Sequence, residues 1–147
     1  VVAAKNTAVA YNYTGVKTAL INSYAWDTAL NWMNLTLTNY STSRTYGNYT
    51  NQILQTGATQ TDIVNEIADM AGNLREWTTE KYDEEIVDNT TGNTTSTNTS
   101  GIALKDLSYR VVRGGSATMD KIANSRIGER TDLKDNYWGF RTVLYKE

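Results

Sequence analysis

The sequence of 147 residues contains no cysteine, no histidine and no proline. Without cysteine there is no disulfide and no thiol nucleophile. Without histidine, Ser-His-Asp triads and haem ligation by histidine are excluded, and the lack of both residues excludes Cys/His zinc sites. Any bound metal must be held by oxygen atoms, so copper, iron and zinc are not expected. The absence of proline has no evident physical explanation.

Strong charge and long apolar runs are also lacking. The net charge is −2 and no Lys/Arg cluster is present, so the charge gives no reason to expect a nucleic-acid partner, and none is predicted. No apolar run approaches the roughly 18 residues of a membrane span, so no membrane insertion by this segment is expected. The chain starts without methionine and without a recognisable signal peptide, which we interpret as a processed product or fragment. Its length predicts a single domain, residues 1–147, with a sizeable core.

Residues 1–34 are predicted to form two helices separated by a short break. In the first helix, Val2 and Val9, like Ala3 and Ala10, are spaced by seven residues, and alanine is frequent. In the second, Asn22 or Ser23 can serve as the N-cap. The side chains expected to pack the second helix against the core are Trp26, Leu30, Trp32 and Met33.

Three stretches rich in β-forming residues predict a small antiparallel sheet, at residues 74–79, 108–113 and 138–145. The segments at 34–62 and 117–137 are polar and predicted to be irregular, and residues 63–70 to form at most one short helical turn. Strands separated by such long excursions argue against a doubly wound sheet. The predicted fold class is therefore α+β, with two N-terminal helices, a small twisted antiparallel sheet and much irregular structure.

A stretch at residues 89–101 consists only of Asn, Thr, Ser and Gly and is predicted to be a flexible, exposed loop. Asn-x-Ser/Thr sequons are more frequent in the chain than its composition predicts by chance. They favour an exported, glycosylated protein, or else they reflect an Asn/Thr-rich surface. The possible glycosylation sites are Asn12, Asn34, Asn39, Asn48, Asn89, Asn93 and Asn98.

The most informative stretch is DMAGNLREWT at residues 69–78, where a flexible turn enters a strand-like alternation. Gly72 can adopt positive φ, and Asn73 tolerates left-handed geometry. Turned carbonyls followed by the Glu76 carboxylate are hard oxygen ligands of the kind that Ca²⁺ prefers. The alternative interpretation is a tight turn leading into a core strand.

This motif is followed in order by YRVVRGGS at residues 109–116 and GFR at 139–141. Together the three resemble the formylglycine-generating enzyme family, also called sulfatase-modifying factor domains. The resemblance covers roughly residues 15–146, without the family's usual opening strand pair. It implies a C-type-lectin-like fold. It also implies Ca²⁺ as a possible cofactor, with matched ligand positions at Gly72, Leu74 and Glu76.

The sequence departs from the family where catalysis is concerned. Catalytic members bind copper through a cysteine pair, and iron-dependent relatives use histidine, and this chain has neither residue type. The family commonly has aromatic residues where Arg75 and Ala117 stand here. We therefore predict that the chain is not an enzyme.

These observations lead to a predicted function as a non-catalytic ligand-binding or adhesion module of a secreted or surface-displayed protein. Its partner would be a protein or glycan on another surface, or copies of itself, at a cell surface, extracellularly or on a phage or virion exterior. The alternatives are a structural subunit of an extracellular filament or phage appendage, and a divergent enzyme of the family. Aromatic and charged side chains in the loop at 117–138 are the predicted recognition residues, namely Thr118, Met119, Asp120, Lys121, Arg130, Asp132, Lys134, Asp135, Tyr137 and Trp138.

Overall fold

The computed structural model describes residues 2–82, 109–119 and 121–146. The predicted flexible loop at 89–101, including the sequons at Asn89, Asn93 and Asn98, lies outside the described residues. So does Asp120 of the predicted recognition segment.

The described residues form two α-helices and eight strands, which confirms the α+β class. In the described part of the chain, no helix is long and apolar enough to cross a membrane. In chain order the elements are α1 Val2–Ala10, β1 Val16–Leu20, α2 Ser23–Thr36, β2 Ile63–Val64, β3 Ile67–Ala68, β4 Arg75–Lys81, β5 Tyr109–Arg113, β6 Arg126–Arg130, β7 Trp138–Phe140 and β8 Thr142–Lys146, with 3₁₀ turns at Tyr40–Thr42 and Gln60–Asp62.

Helix α2 provides the centre of the hydrophobic core. The Asn22 side chain caps it by accepting a hydrogen bond from the Ala25 N–H at 2.8 Å, as predicted. The expected stripe of Trp26, Leu30 and Met33 is buried. The prediction was wrong for Trp32, which is 50% exposed because it lies outside that stripe.

The region before α2 differs from the prediction. The buried side chains of α1 are Ala4 and Ala8, whereas Val2 and Val9 point to solvent and are 73% and 77% exposed. The prediction of two helices separated only by a short break missed strand β1. Here the Thr18 hydroxyl accepts a hydrogen bond from the Ala8 N–H at 3.1 Å and so fastens α1 against the strand.

The main sheet has four strands in the order β6-β5-β4-β7. Strand β5 runs antiparallel to both of its neighbours, β4 and β6, but β7 runs parallel to β4, so the expectation of a purely antiparallel sheet was wrong. The predicted closing strand is in fact two strands interrupted at Arg141. After this break, β8 leaves the main sheet and pairs antiparallel with β1.

Two further elements correct the sequence-based prediction. The residues expected to form a helical turn instead form the hairpin β2–β3, whose turn residues Asn65 and Glu66 both adopt positive φ. Strand β6 lies within the segment 117–137, which was expected to be irregular throughout. Its position is established by pairing with β5 over five residue pairs.

Candidate functional site

The turn at residues 71–73 is where three loops of the molecule meet. Gly72 and Asn73 have φ of 70° and 55°, as their residue types predicted. The Asn73 side chain accepts a hydrogen bond from the Leu54 N–H at 2.9 Å and donates to the Leu54 carbonyl at 3.1 Å. The Asn73 side chain therefore holds the loop at Leu54 with a donor and an acceptor, as the backbone of a paired strand would.

The backbone of the same turn holds the loop that follows β5. The Gly72 N–H donates to the Gly114 carbonyl at 2.7 Å, and the Ala117 N–H donates to the Asn73 carbonyl at 2.9 Å. Asn48 completes the junction from a third loop, with its amide nitrogen 3.0 Å from the Asn73 Oδ1. Because this amide nitrogen is buried and hydrogen-bonded, the geometry weighs against glycosylation at Asn48.

Immediately after this turn, Arg75 forms a cluster of charged and aromatic side chains on one face of the main sheet. Its guanidinium pairs with Glu129 of β6 at 2.8 Å and with Asp135 at 3.0 Å. It also lies over the Trp138 ring, 5.2 Å from the centroid. The loop between β6 and β7 crosses from one edge of the sheet to the other, and Arg75 fastens it there through Asp135.

Aromatic side chains extend the Arg75 cluster along the sheet. Trp77 contacts Trp138 edge to face, with 5.0 Å between ring centroids, and Phe140 is 48% exposed. The register places Arg75 beside Trp138, and Trp77 beside Phe140. The Arg75 Nε and the Trp138 Nε1 are buried donors with no hydrogen-bond acceptor among the described residues. This face of the main sheet therefore presents aromatic side chains around Arg75.

Only part of the predicted recognition segment lies beside this cluster. Thr118 and Met119 directly follow Ala117, which is bonded to Asn73 on one side of the start of β4. Tyr137 lies on the other side, where its carbonyl accepts a hydrogen bond from the Arg75 N–H at 3.0 Å. Thr118 is exposed, whereas Met119, Tyr137 and Trp138 are half-buried.

The remaining predicted residues are located elsewhere. Arg130 pairs with Tyr109 in the register, at the end of the sheet opposite to the start of β4. It forms a two-pronged exposed ion pair with Asp132, and this hydrogen bonding lowers the pKa of the Asp132 carboxyl. Lys134 is exposed and Lys121 is half-buried. The nine described residues of the predicted set do not therefore form one continuous surface.

The residues predicted to bind Ca²⁺ do not fit that ion in the described conformation. Glu76 is the only charged member of the set, and both of its carboxylate oxygens accept hydrogen bonds from Arg141 at 3.0 Å. Burial raises the pKa of Glu76, while the Arg141 cation opposes this effect. In residues 2–82, 109–119 and 121–146, no group of three or more Asp, Glu, His or Cys side chains could hold a metal. A calcium ion at Glu76 would compete with Arg141 for these oxygens.

A second buried acid, Asp62, lies near the same junction. Its Oδ1 accepts a hydrogen bond from the Gly47 N–H at 2.6 Å, and its Oδ2 has no partner among the described residues. Burial raises the pKa of this carboxyl. The folded state thus retains a proton to higher pH than the unfolded chain does, so the contribution of Asp62 to stability falls as pH rises above its ordinary pKa.

We therefore expect Asp62→Asn to be more stable than the wild type at pH 7, by about 1 kcal/mol, because the amide keeps the oxygen acceptor and carries no charge. The difference should shrink at pH 4, and urea unfolding at both pH values measures it. Asp132→Asn is the control, since the pKa of Asp132 is lowered and its pH dependence has the opposite sign. A wild type more stable than Asp62→Asn at pH 7 would contradict the prediction.

Comparison with known families identifies the chain. It matches the sulfatase-modifying factor enzyme 1-like domain over residues 3–146. The chain therefore belongs to that family, which confirms the resemblance seen in the three motifs and extends it towards the N-terminus. No characterised protein and no solved structure matches the chain significantly.

Sequence reasoning missed the centre of the candidate site. Arg75 stands out in the sequence only because it replaces an aromatic residue common in the family, and nothing in the sequence marks Glu129. That departure was the available signal, because an arginine in a half-buried strand position requires carboxylate partners. Its partners come from residues more than 50 positions away, and no local pattern could identify them.

Proposed function

We propose that this chain is a non-catalytic binding module with a C-type-lectin-like arrangement, displayed outside the cell on a secreted, surface or virion protein. The absence of cysteine and histidine supports a non-catalytic role, since the family's copper and iron chemistry depends on those side chains. The exposed sequons at Asn12 and Asn39 support an extracellular location. The ligand would be a protein or a glycan.

One observation carries this proposal. Two loops that are distant in the sequence flank the start of β4 and present Thr118 on one side and Tyr137 on the other. Both loops are hydrogen-bonded to the backbone at the start of β4: the Ala117 N–H donates to the Asn73 carbonyl, and the Tyr137 carbonyl accepts from the Arg75 N–H. Loops positioned by a rigid scaffold are where binding residues concentrate, and aromatic side chains are common anchors of an interface. The proposed recognition surface consists of Thr118, Met119, Tyr137 and the adjacent Phe140.

The proposed recognition surface can be tested with point variants on a glycan array and on immobilised cell-surface protein extracts. We expect Tyr137→Ala and Thr118→Arg to reduce binding by about tenfold or more, because a lost anchor contributes 1–2 kcal/mol. The matched control is Arg130→Ala, at the opposite end of the sheet, which should bind as the wild type does. Circular dichroism confirms that each variant is folded. Equal binding by all folded variants would place recognition elsewhere.

A structural-subunit role is the second candidate, because large apolar side chains are exposed away from the recognition surface. Val2 and Val9 of α1 and Leu144 and Tyr145 of β8 are each about half exposed or more. Such side chains can be buried between copies of the chain. Sedimentation at increasing concentration distinguishes the two: a mass that rises with concentration supports a subunit, and a constant monomer mass supports the binding module.

Calcium binding at Gly72, Leu74 and Glu76 also stays a prediction. If calcium binds the native state, excess Ca²⁺ raises the melting temperature relative to chelator by mass action. Glu76→Gln should then abolish the shift. Because Arg141 already occupies both oxygens of Glu76, the described conformation favours the opposite result, namely identical melting of the wild type in Ca²⁺ and in chelator.

A further inference from the structure

An open cavity of about 470 Å³ lies between α2 and the β2–β3 hairpin. Its volume falls in the range typical of small-ligand sites, about 300–1,000 Å³. The cavity exists because three facing positions carry only a methyl side chain: Ala25 and Ala29, one turn apart on α2, and Ala68 on β3. Its other apolar walls are Ile21, Ile67, Met70 and Val143.

Side-chain hydrogen bonds fix the hairpin in place at both ends of the cavity. At the hairpin tip, Asn65 accepts a hydrogen bond from the Thr36 hydroxyl at 2.8 Å and donates to the Trp32 carbonyl at 3.4 Å. At the other end, the Arg141 guanidinium donates to the Ala68 carbonyl at 2.7 Å. These bonds fix the hairpin tip to the C-terminal half of α2 and strand β3 to Arg141.

Arg141 also determines the polarity of the cavity. Its Nε and Nη2 are used by Glu76 and the Ala68 carbonyl, whereas its Nη1 has no acceptor among the described residues. The positive charge is balanced by Glu76, and Glu66 stands in the lining. A carboxylate on the ligand would be repelled by Glu76 and Glu66. Arg141 Nη1 therefore favours a neutral acceptor such as a peptide carbonyl.

We propose that this cavity is a second binding site, which takes one branched aliphatic residue of a partner peptide and hydrogen-bonds the peptide carbonyl through Arg141 Nη1. The methyl-lined walls accept a leucine-sized side chain, and its burial drives binding. None of the residues that line the cavity belongs to the proposed recognition surface.

The minimal probe is N-acetyl-leucine N-methylamide, titrated into the ¹⁵N-labelled chain. We expect saturable shifts of the Ala29, Ala68 and Thr142 amide resonances with a dissociation constant on the order of millimolar, as expected for a ligand of this size. N-acetyl-leucine, which carries a carboxylate, should bind at least about threefold more weakly. Absence of saturable shifts at these residues would overturn the proposal, and tighter binding of the carboxylate would overturn the assigned ligand class.

Two variants test the location. Ala29→Leu places a larger side chain in the cavity and should weaken probe binding about tenfold or more, and Ala25→Leu is a second variant in case the first does not fold. Asn31→Leu adds the same side chain at an exposed position of α2 and should bind the probe as the wild type does. Unchanged binding in folded Ala29→Leu or Ala25→Leu, or equal weakening in Asn31→Leu, would contradict the assignment.

Discussion

Replacing Arg141 with alanine is expected to lower the free energy of unfolding by about 3–5 kcal/mol, the range found when one partner of a buried ion pair is removed. Arg141 donates two hydrogen bonds to Glu76, whose side chain is about one-tenth exposed. Without it, the carboxylate is left buried and uncompensated, and the Ala68 carbonyl loses a charged donor. Urea unfolding monitored by tryptophan fluorescence measures the change.

The pH dependence identifies the cause of this loss. Burial raises the pKa of Glu76, and removing Arg141 eliminates the main opposing effect. The variant should therefore recover part of its stability as the pH falls towards the ordinary pKa of glutamate, because protonation removes the buried charge. The double variant Glu76→Gln/Arg141→Met should be less destabilised at pH 7 than Arg141→Ala alone.

Arg130→Ala provides the control for the ion pair. Arg130 forms an equally well-aligned pair with Asp132, but both side chains are exposed. Water and salt screen such a pair, so its removal should have little effect on stability. A similar loss of stability in Arg130→Ala and Arg141→Ala would show that burial of Glu76 is not the cause.

The elements predicted correctly are those whose signal is local. The apolar spacing of α2 and its Asn22 cap lie within a few residues of each other, and the structure confirms both. Strands β4 and β5 are rich in β-forming residues and were also predicted. The family was identifiable because three short motifs occur in the right order, and these motifs contain the turn that joins three loops.

The elements that were missed depend on distant partners. Among the described residues, strand β1 pairs with β8, at the opposite end of the chain, and its five residues are too few to identify it by themselves. Edge strand β6 shows no apolar alternation, since Arg126 and Glu129 form ion pairs across the sheet with Glu80 and Arg75. For the same reason the predicted recognition residues could be named but not grouped. Whether they lie at the same end of the sheet depends on the register of β5 and β6.

Replacing Gly72 with alanine is the second change expected to have a large effect. Gly72 has φ of +70°, and an added Cβ would lie 2.2 Å from the Asn48 carbonyl oxygen. That carbonyl accepts a hydrogen bond from the Asn73 N–H at 2.8 Å, so it cannot move away without opening the junction. Left-handed strain in a residue other than glycine adds about 1–2 kcal/mol.

Gly15→Ala separates the two contributions in Gly72→Ala. Gly15 has the same φ of +70°, but its added Cβ would have no atom within 4 Å. It should therefore show the left-handed strain alone, about 1–2 kcal/mol, whereas Gly72→Ala should lose about 4 kcal/mol or more, in the range that indicates a specific steric cause. Unfolding free energies of the two variants, measured under the same conditions, give the difference directly. If the two losses are equal, the close approach of Asn48 is not the reason why position 72 requires glycine, and the backbone conformation alone is.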